Sequence, residues 1–302
     1  DSHVLLHELV KVITDTEQQS SVKIRHVIAF HINHGFSPNA NRWQKHCEKV
    51  CDELGVAFVA ESPQIPAAGN KEENARKARY NAWKEFLQRG DLLLLAHHMD
   101  DQIETALFYL LRGSSPFGVQ AIPPERLLGE AILLRPLINT TKDVIVSYAT
   151  ENDLAWIEDE SNQDAGFDRN FLRRQVLPLL RQRWPAMDRC WATTAAVMGD
   201  TTQLLNEVAA EDLVLISSGL VNSQCLRTAA LLALSKPRRH NLLRHWLSLH
   251  KVPALSYVTM QQIDGEVLAS ADDAQPCLVF GAWCLRRSHG QLWLTPYAGH
   301  GK

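Results

Sequence analysis

No Cys-x-x-Cys pair occurs in the 302 residues, and no uninterrupted apolar run approaches the roughly 18 residues that a membrane span requires. Internal repeats and low-complexity tracts are also missing. The first absence argues against a disulfide framework, a zinc ribbon or a ligated iron-sulfur cluster, the second against a spanning helix, and the third against a solenoid or a disordered tail. The chain start lacks the basic-then-apolar order of a signal peptide. Together these imply a cytoplasmic protein with no membrane role. There is no large excess of charge of one sign either: the formal net charge is -3, so any nucleic-acid footprint must come from local clustering.

What is present suits a folded protein of about two domains: 45% hydrophobic and 22% charged residues, with six cysteines at irregular spacing. Cys47 and Cys51, four apart beside His46, have metal-ligand spacing on a helix, but free cysteines more often serve as small buried hydrophobes. The sequence opens Asp1-Ser2-His3-Val4-Leu5-Leu6, running straight into a helical pattern with no initiator Met, as though a segment upstream were absent.

Hydrophobic spacing predicts a helix through Leu5 to Ile13, a strand over Ile24 to Ile32, a helix over Asn39 to Leu54 and a strand over Val56 to Ala60. A helix over Glu72 to Leu87, a strand over Leu92 to Ala96 and a helix over Asp101 to Arg112 follow. Alternation of this kind implies an α/β fold, a parallel sheet with helices on both faces. From Arg169 the pattern becomes helical, with helices over 169–183, 185–216, 236–250 and 257–268, then short strands at 277–280, 283–287 and 292–294. The expected division is therefore a catalytic domain at 1–184 and a smaller, mainly helical domain at 185–302.

Chemistry concentrates where the apolar strand Leu92 to Ala96 ends, at His97-His98-Met99-Asp100-Asp101-Gln102-Ile103-Glu104-Thr105. Strand carboxyl ends are where open α/β sheets bind ligands. Asp101 and Glu104 are three apart and Asp100 and Glu104 four apart, so they share a helix face. Acidic residues also simply cap helices, and on the residues alone that reading is slightly preferred. A zinc or manganese site from the two histidines and two aspartates ranks lower. Seven acids and no Lys or Arg occupy Glu151 to Asp168, whereas Arg169 to Arg189 holds six arginines against Asp188 alone. An acid-free run with Lys236, Arg238, Arg239, Arg244 and Lys251 follows later; RNA phosphates or a plain solvated face explain either basic run.

Asp1-Ser2 before Val4-Leu5-Leu6 resembles the tail of the S-G-G-x-D-S loop of the N-type ATP pyrophosphatases (the PP-loop superfamily), and His31-Ile32-Asn33-His34-Gly35 resembles their H-x-x-H-G strand end. Ala96 to Thr105 is similar to the A-H-H-x-D-D-x-x-E-T signature of the bacterial tRNA(Ile)-lysidine synthetase family. Glu72 with Ala75-Arg76-Lys77-Ala78-Arg79-Tyr80, Trp156 to Asn162, and Asp168-Arg169-Asn170-Phe171-Leu172-Arg173 agree with it. The Ser-Gly-Gly part of the loop and its preceding strand are not in the chain, and longer family members carry a further tRNA-binding domain, so truncation at both ends is implied.

The resemblance implies an adenine nucleotide alpha hydrolase-like fold and a ligase that uses ATP and Mg²⁺ to join free lysine to the wobble cytidine of tRNA(Ile). A homodimer is a further expectation. It assigns ATP to Asp1, Ser2, His31, His34, Gly35 and His97, and the metal to Asp1 and Asp100. Catalysis falls to Asp101, Glu104, Arg169 and Arg173, and tRNA or substrate binding to Arg76, Arg79, Asn170, Arg238 and Arg239. A tRNA thiolase and a non-catalytic tRNA-binding module are the alternatives; dependence on lysine and release of pyrophosphate discriminate among the three.

Overall fold

A computed structural model describes all residues except 20–25, 67–70, 114–115, 158–167, 218–223, 271–275 and 298–302. The acidic stretch Glu158 to Asp164 thus lies outside the described residues. The chain divides into one unit of 1–108 with 121–192 and a second of 109–120 with 193–302. The second division falls inside a long helix, eight residues beyond the expected 184/185, because Pro185 opens a helical turn without ending the first unit's packing.

In the first unit the order is α1 (Ser2–Gln19), β1 (Ile28–Ile32), α2 (Ala40–Leu54), β2 (Ala57–Glu61), α3 (Lys71–Phe86), β3 (Leu92–Leu94) and α4 (Met99–Leu111). After the short α5 (Pro116–Val119), which belongs to the second unit, come β4 (Glu125–Leu128), β5 (Ala131–Leu134), α6 (Lys142–Glu151) and α7 (Asp168–Phe171). A π-helical stretch, Leu172–Val176, leads into α8 (Leu177–Arg183) and α9 (Met187–Ile216). Strands β1 and β2 are parallel, from Ile28 opposite Ala57 to Ile32 opposite Glu61. Gly55 ends α2 at φ +67°, a left-handed conformation that glycine adopts without Cβ strain, and so allows the immediate turn into β2.

Strand β3 is parallel to β5, with Leu94 opposite Leu134, and β4 is antiparallel to β5 across a Gly129-Glu130 turn. Among the described residues β1–β2 and β3–β5–β4 form separate hydrogen-bonded groups; the expected parallel pairing holds for β1–β2 and β3–β5, and β4 adds an antiparallel strand. The parallel register has a direct consequence: the residues after Leu94 and after Leu134 emerge at one edge. Trp83 of α3 packs with Leu128, Leu133 and Leu93, and Val4 of α1 with Ile145 and Ala149 of α6. Ile103 of α4, fully buried, packs with Met99, Leu177 and Trp191.

The second unit adds β6 (Cys225–Arg227), α10 (Thr228–Ala233), α11 (Lys236–Leu249), α12 (Tyr257–Gln262), a π-helical stretch Ile263–Leu268, then β7 (Cys277–Phe280), β8 (Trp283–Ser288) and β9 (Gln291–Pro296). The expected short strands assemble with β6 into a four-stranded antiparallel sheet of order β6-β9-β8-β7. Its core joins Trp246, Leu242 and Leu243 of α11 to Leu285, Leu292 and Leu294 of the sheet. Cys277 and Cys284 sit diagonally on the hairpin, since Cys284 is opposite Val279, and are joined as a disulfide. Cys47 and Cys51 are free, and burial raises both thiol pKa values, as suits small, largely apolar packing residues.

Arg238 and Arg239 of α11, expected as RNA contacts, are each paired with an aspartate of the same unit. Arg238 makes a two-point ion pair with Asp212, itself 1% exposed, and Arg239 donates to Asp264 at 2.8 Å while His240 contacts the other oxygen at 2.7 Å. Two cations of the acid-free run are thus matched by anions of the same unit. Burial raises the Asp264 pKa, but the hydrogen bonds and charges of Arg239 and His240 overcome this and hold it below the usual aspartate value. A depressed pKa stabilises the fold above the unfolded value of about 3.9 and is lost as pH falls through the folded value. Asp264→Ala, which strands a guanidinium and an imidazole, is expected to cost about 3–5 kcal/mol at neutral pH. Urea unfolding should show wild type and variant converging in acid.

Candidate active site

The site lies at the carboxyl ends of β3 and β5. The chain leaves β3 with Leu95 still bonded to the Leu134 carbonyl at 2.9 Å, turns through His97 and His98, and enters α4 at Met99. The backbone N–H of His98 donates to Asp101 Oδ2 at 2.9 Å, so one carboxylate of the acidic signature does close the start of the helix. The other two do not act as caps.

Glu104, 3% exposed, receives Arg173 in a two-point pair, Nε to Oε1 and Nη2 to Oε2 at 3.0 Å, and the same Nη2 reaches Asp101 Oδ1 at 3.2 Å. Asp100, 6% exposed, is gripped by Arg181 at 3.0 and 2.7 Å, and Arg181 also pairs with Asp188. Two arginines of the basic run 169–189, Arg173 and Arg181, are thus paired with carboxylates of α4. The π-helical stretch supplies the geometry: its wider turn re-phases the helix that carries Arg173 and then Arg181.

Asp1 stands before the first turn of α1, its carbonyl accepting from the Leu5 N–H at 3.0 Å, and Ser2 opens that helix. Its carboxylate is held by Lys142 Nζ at 2.6 Å and lies 3.4 Å from His98 Nε2, which is 3.7 Å from Asp101 Oδ2. Asp1, His98 and Asp101 therefore form a continuous line from the α1 N-terminus to the Arg173 cluster. His98, 4% exposed, has Nδ1 with no hydrogen-bond partner. Burial lowers its pKa most, outweighing Asp101 and Asp100, which raise it; Lys142 and Arg173 lower it further. His97 is pushed down to about 4 by burial, against Asp101, with Arg135, Arg79 and Arg76 adding to the fall. Both imidazoles are neutral at physiological pH.

The remaining expected residues divide. His31 sits in β1 and His34 beyond it, stacked 5.9 Å from Phe36, with Gly35 at φ +67° donating its N–H to Asn33 Oδ1 at 3.0 Å. Burial lowers the His31 pKa; for His34 burial acts with the charges of Arg79 and His31. Arg79 lies over Trp83 and Arg76 over Tyr80, and the charge of each also bears on His97. Arg169 lies over Phe108, 5.9 Å from its ring centroid, next to Asn170 in α7 and about one helical turn before Arg173.

Asp100, expected to share in holding the metal, has both oxygens bonded to Arg181. Burial raises its pKa, but the Arg181 hydrogen bonds and charge hold it below the ordinary value. Among the described residues no group of three or more His, Cys, Asp or Glu side chains surrounds a metal position.

Sequence analysis missed His98 as the link, Lys142, Arg135 and Arg181. Arg135 donates to His97 Nδ1 at 3.2 Å and to the Pro123 carbonyl at 2.6 Å. A signal existed for it, since it ends the apolar run Ala131 to Leu134 just as His97 follows β3. Lys142 opens α6 behind Thr140-Thr141 and carried no such mark.

Comparison with known proteins agrees with this geometry. The PP-loop domain family matches residues 1–180, and the TilS substrate binding domain family matches 226–293. The chain is 41% identical over 294 residues to the tRNA(Ile)-lysidine synthases of Salmonella typhi and Salmonella agona (strain SL483), covering 97% of this chain and 66% of each relative. It thus spans just under two thirds of the length of the curated relatives it matches. A solved structure, the U34-tRNA thiolase NcsA from Methanococcus maripaludis with its [4Fe-4S] cluster, aligns at TM-score 0.51 and 14% identity over 66% of this chain and 68% of that one, a likeness of fold. With Asp1-Ser2 at the α1 N-terminus and the acidic signature at the end of β3, the chain belongs to the PP-loop family, in the arrangement that joins a PP-loop domain to a TilS substrate binding domain.

Proposed function

We propose that the protein catalyses ATP-dependent ligation of free lysine to C2 of the wobble cytidine of an isoleucine tRNA, producing lysidine, AMP and pyrophosphate. The observation that carries this reading is the line Asp1–His98–Asp101–Glu104, which connects a helix N-terminus to a buried, arginine-bound carboxylate. Names of the relatives specify the tRNA and the product; the geometry supplies a phosphate end and a proton-accepting end.

Ser2 and the α1 N–H groups bind the ATP phosphates, and the Lys142 ammonium beside Asp1 adds positive charge there. Attack of the cytidine O2 on the α-phosphorus breaks the bond to pyrophosphate and leaves the base as its AMP ester, a far better leaving group than the carbonyl oxygen. Magnesium fits this end, since it takes one or two protein carboxylates and fills its remaining positions with water and phosphate. Asp1, its side chain about a third exposed at 32%, is the carboxylate that would hold it, and the ion supplies charge neutralisation for pyrophosphate when bound.

Lysine then approaches Glu104 and Asp101. Its ammonium must lose a proton before the nitrogen lone pair can attack C2 and expel AMP. Burial raises the Glu104 pKa, more than the Arg173 hydrogen bonds and charge lower it, while Asp101 and Asp100 push it up further. A raised carboxylate pKa suits a proton acceptor. Arg173 holds the two carboxylates together until the substrate ammonium competes for the same oxygens.

Glu104→Gln in the full-length enzyme should keep the fold and tRNA binding but lose lysine incorporation by at least about 100-fold. Incorporation at the wild-type rate would remove Glu104 from the mechanism. Because the Glu104 pKa is raised, kcat/KM for lysine should fall on the acid side at a pH above the ordinary glutamate value of about 4.3. Arg173→Met removes the interaction favouring the charged form and should move that limb to still higher pH. An acid limb that stays in place in the variant would assign the titration to another group.

A further inference from the structure

A groove of about 490 Å³ opens between α3 and the β4–β5 hairpin, apart from the carboxylate cluster. Arg76, Lys77, Lys84 and Arg126 line it against a single carboxylate, Glu73, which bonds Lys77 at 2.6 Å. All four cations are exposed. Lys77 and Lys84 lie seven residues apart, two turns along one face of α3 and about 10 Å at 1.5 Å per residue, which is the reach of a run of phosphates and not of one. Tyr80 sits in the middle with two guanidiniums over its ring, Arg126 at 4.7 Å and Arg76 at 5.1 Å from the centroid. Such contacts fix the forks that would otherwise roam in solvent, so less ordering entropy is lost when an anion binds.

The groove also has a physical connection to the active site. Tyr80 interacts electrostatically with Arg135, and Arg135 donates to His97 Nδ1, just after β3, at 3.2 Å. From this continuity, and on the reading of the substrate as tRNA, we infer that the α3/hairpin groove binds the phosphodiester backbone of the RNA strand beside the nucleotide being modified. It positions the strand and contributes no base readout: arginine and lysine on phosphate carry affinity, register and salt dependence, while sequence is read elsewhere.

The test combines Lys84→Glu with Arg126→Glu in the full-length enzyme, neither residue belonging to the catalytic cluster. Affinity for tRNA at about 0.1 M salt should fall at least about ten-fold. The slope of log K against log salt should shrink by about 1.5–2, since each lost phosphate contact removes about 0.7–0.9. The KM for tRNA should rise while kcat at saturating tRNA and the affinity for ATP stay at wild-type values. The milder Lys84→Gln with Arg126→Gln should give the same changes at smaller size, which separates them from misfolding. Wild-type tRNA affinity and salt slope in the folded variant overturn the inference, as does a selective loss of ATP affinity, which would mark a mononucleotide site. If the wild-type enzyme itself fails to bind tRNA, the proposed function falls first.

Discussion

The site depends on pairing buried carboxylates at the start of α4 with guanidiniums from the helical segment that follows α7. A lone carboxylate taken from water costs several kcal/mol, and two of the three in this turn, Asp100 and Glu104, are almost wholly buried. Two-point hydrogen bonding from Arg181 and Arg173 satisfies both oxygens of each, which offsets the loss of water and fixes the side-chain direction. The two pairs then diverge in use. Arg181 also binds Asp188 and ties α8 to the start of α9, so Asp100 is spent on architecture; Arg173 spans Glu104 and the more exposed Asp101, leaving that pair open to an incoming cation.

Much of the first unit was legible because its elements follow simple periods. Strand-forming runs at β1, β2 and β3 and the helical spacing of α2, α3 and α4 follow hydrophobic periodicity, and the end of β3 marked the acidic signature as a site. Illegible were features set by partners far apart in sequence. The β4–β5 hairpin is one: Glu125–Leu128 alternates weakly, since among the described residues its hydrogen-bonded neighbour is β5 alone and much of it faces solvent. The strand β6 is three residues long and owes its existence to pairing with β9, where Leu226 stands opposite Leu292, a contact that no local window contains. His98 looked equivalent to His97, yet neighbouring elements assign the two different work: Arg135 from the end of β5 takes His97, and Asp1 before α1 faces His98.

Charge was the least reliable guide, for an electrostatic reason. A run of basic residues in sequence carries no record of the acids that fold against it. Six arginines between Arg169 and Arg189 looked like a phosphate-binding surface, but Arg173 and Arg181 are used internally, and on α11 Asp212 and Asp264 neutralise Arg238 and Arg239. What survives as a field for a polyanion is the part of the surface where cations outnumber the acids in reach. The α3/hairpin groove meets that criterion, with Arg76, Lys77, Lys84 and Arg126 facing Glu73, whereas on α11 two of the cations, Arg238 and Arg239, are each paired with an acid of their own unit.

On the proposed function, the same criterion bears on how a ligase would handle an anionic RNA with anionic catalytic groups. Carboxylates able to take a proton from lysine would repel phosphate brought equally close, at several kT in a cleft of low dielectric. The fold resolves this by location. Exposed cations line the α3 side, where the RNA strand would lie, the Lys142 ammonium stands at the helix N-terminus, where phosphates would bind, and Arg173 pairs with the acidic groups Glu104 and Asp101. Arg173 holds oxygens of Glu104 and Asp101 that a lysine ammonium would also prefer, so exchange of one cation for the other would uncover the proton acceptor without exposing a bare carboxylate to RNA.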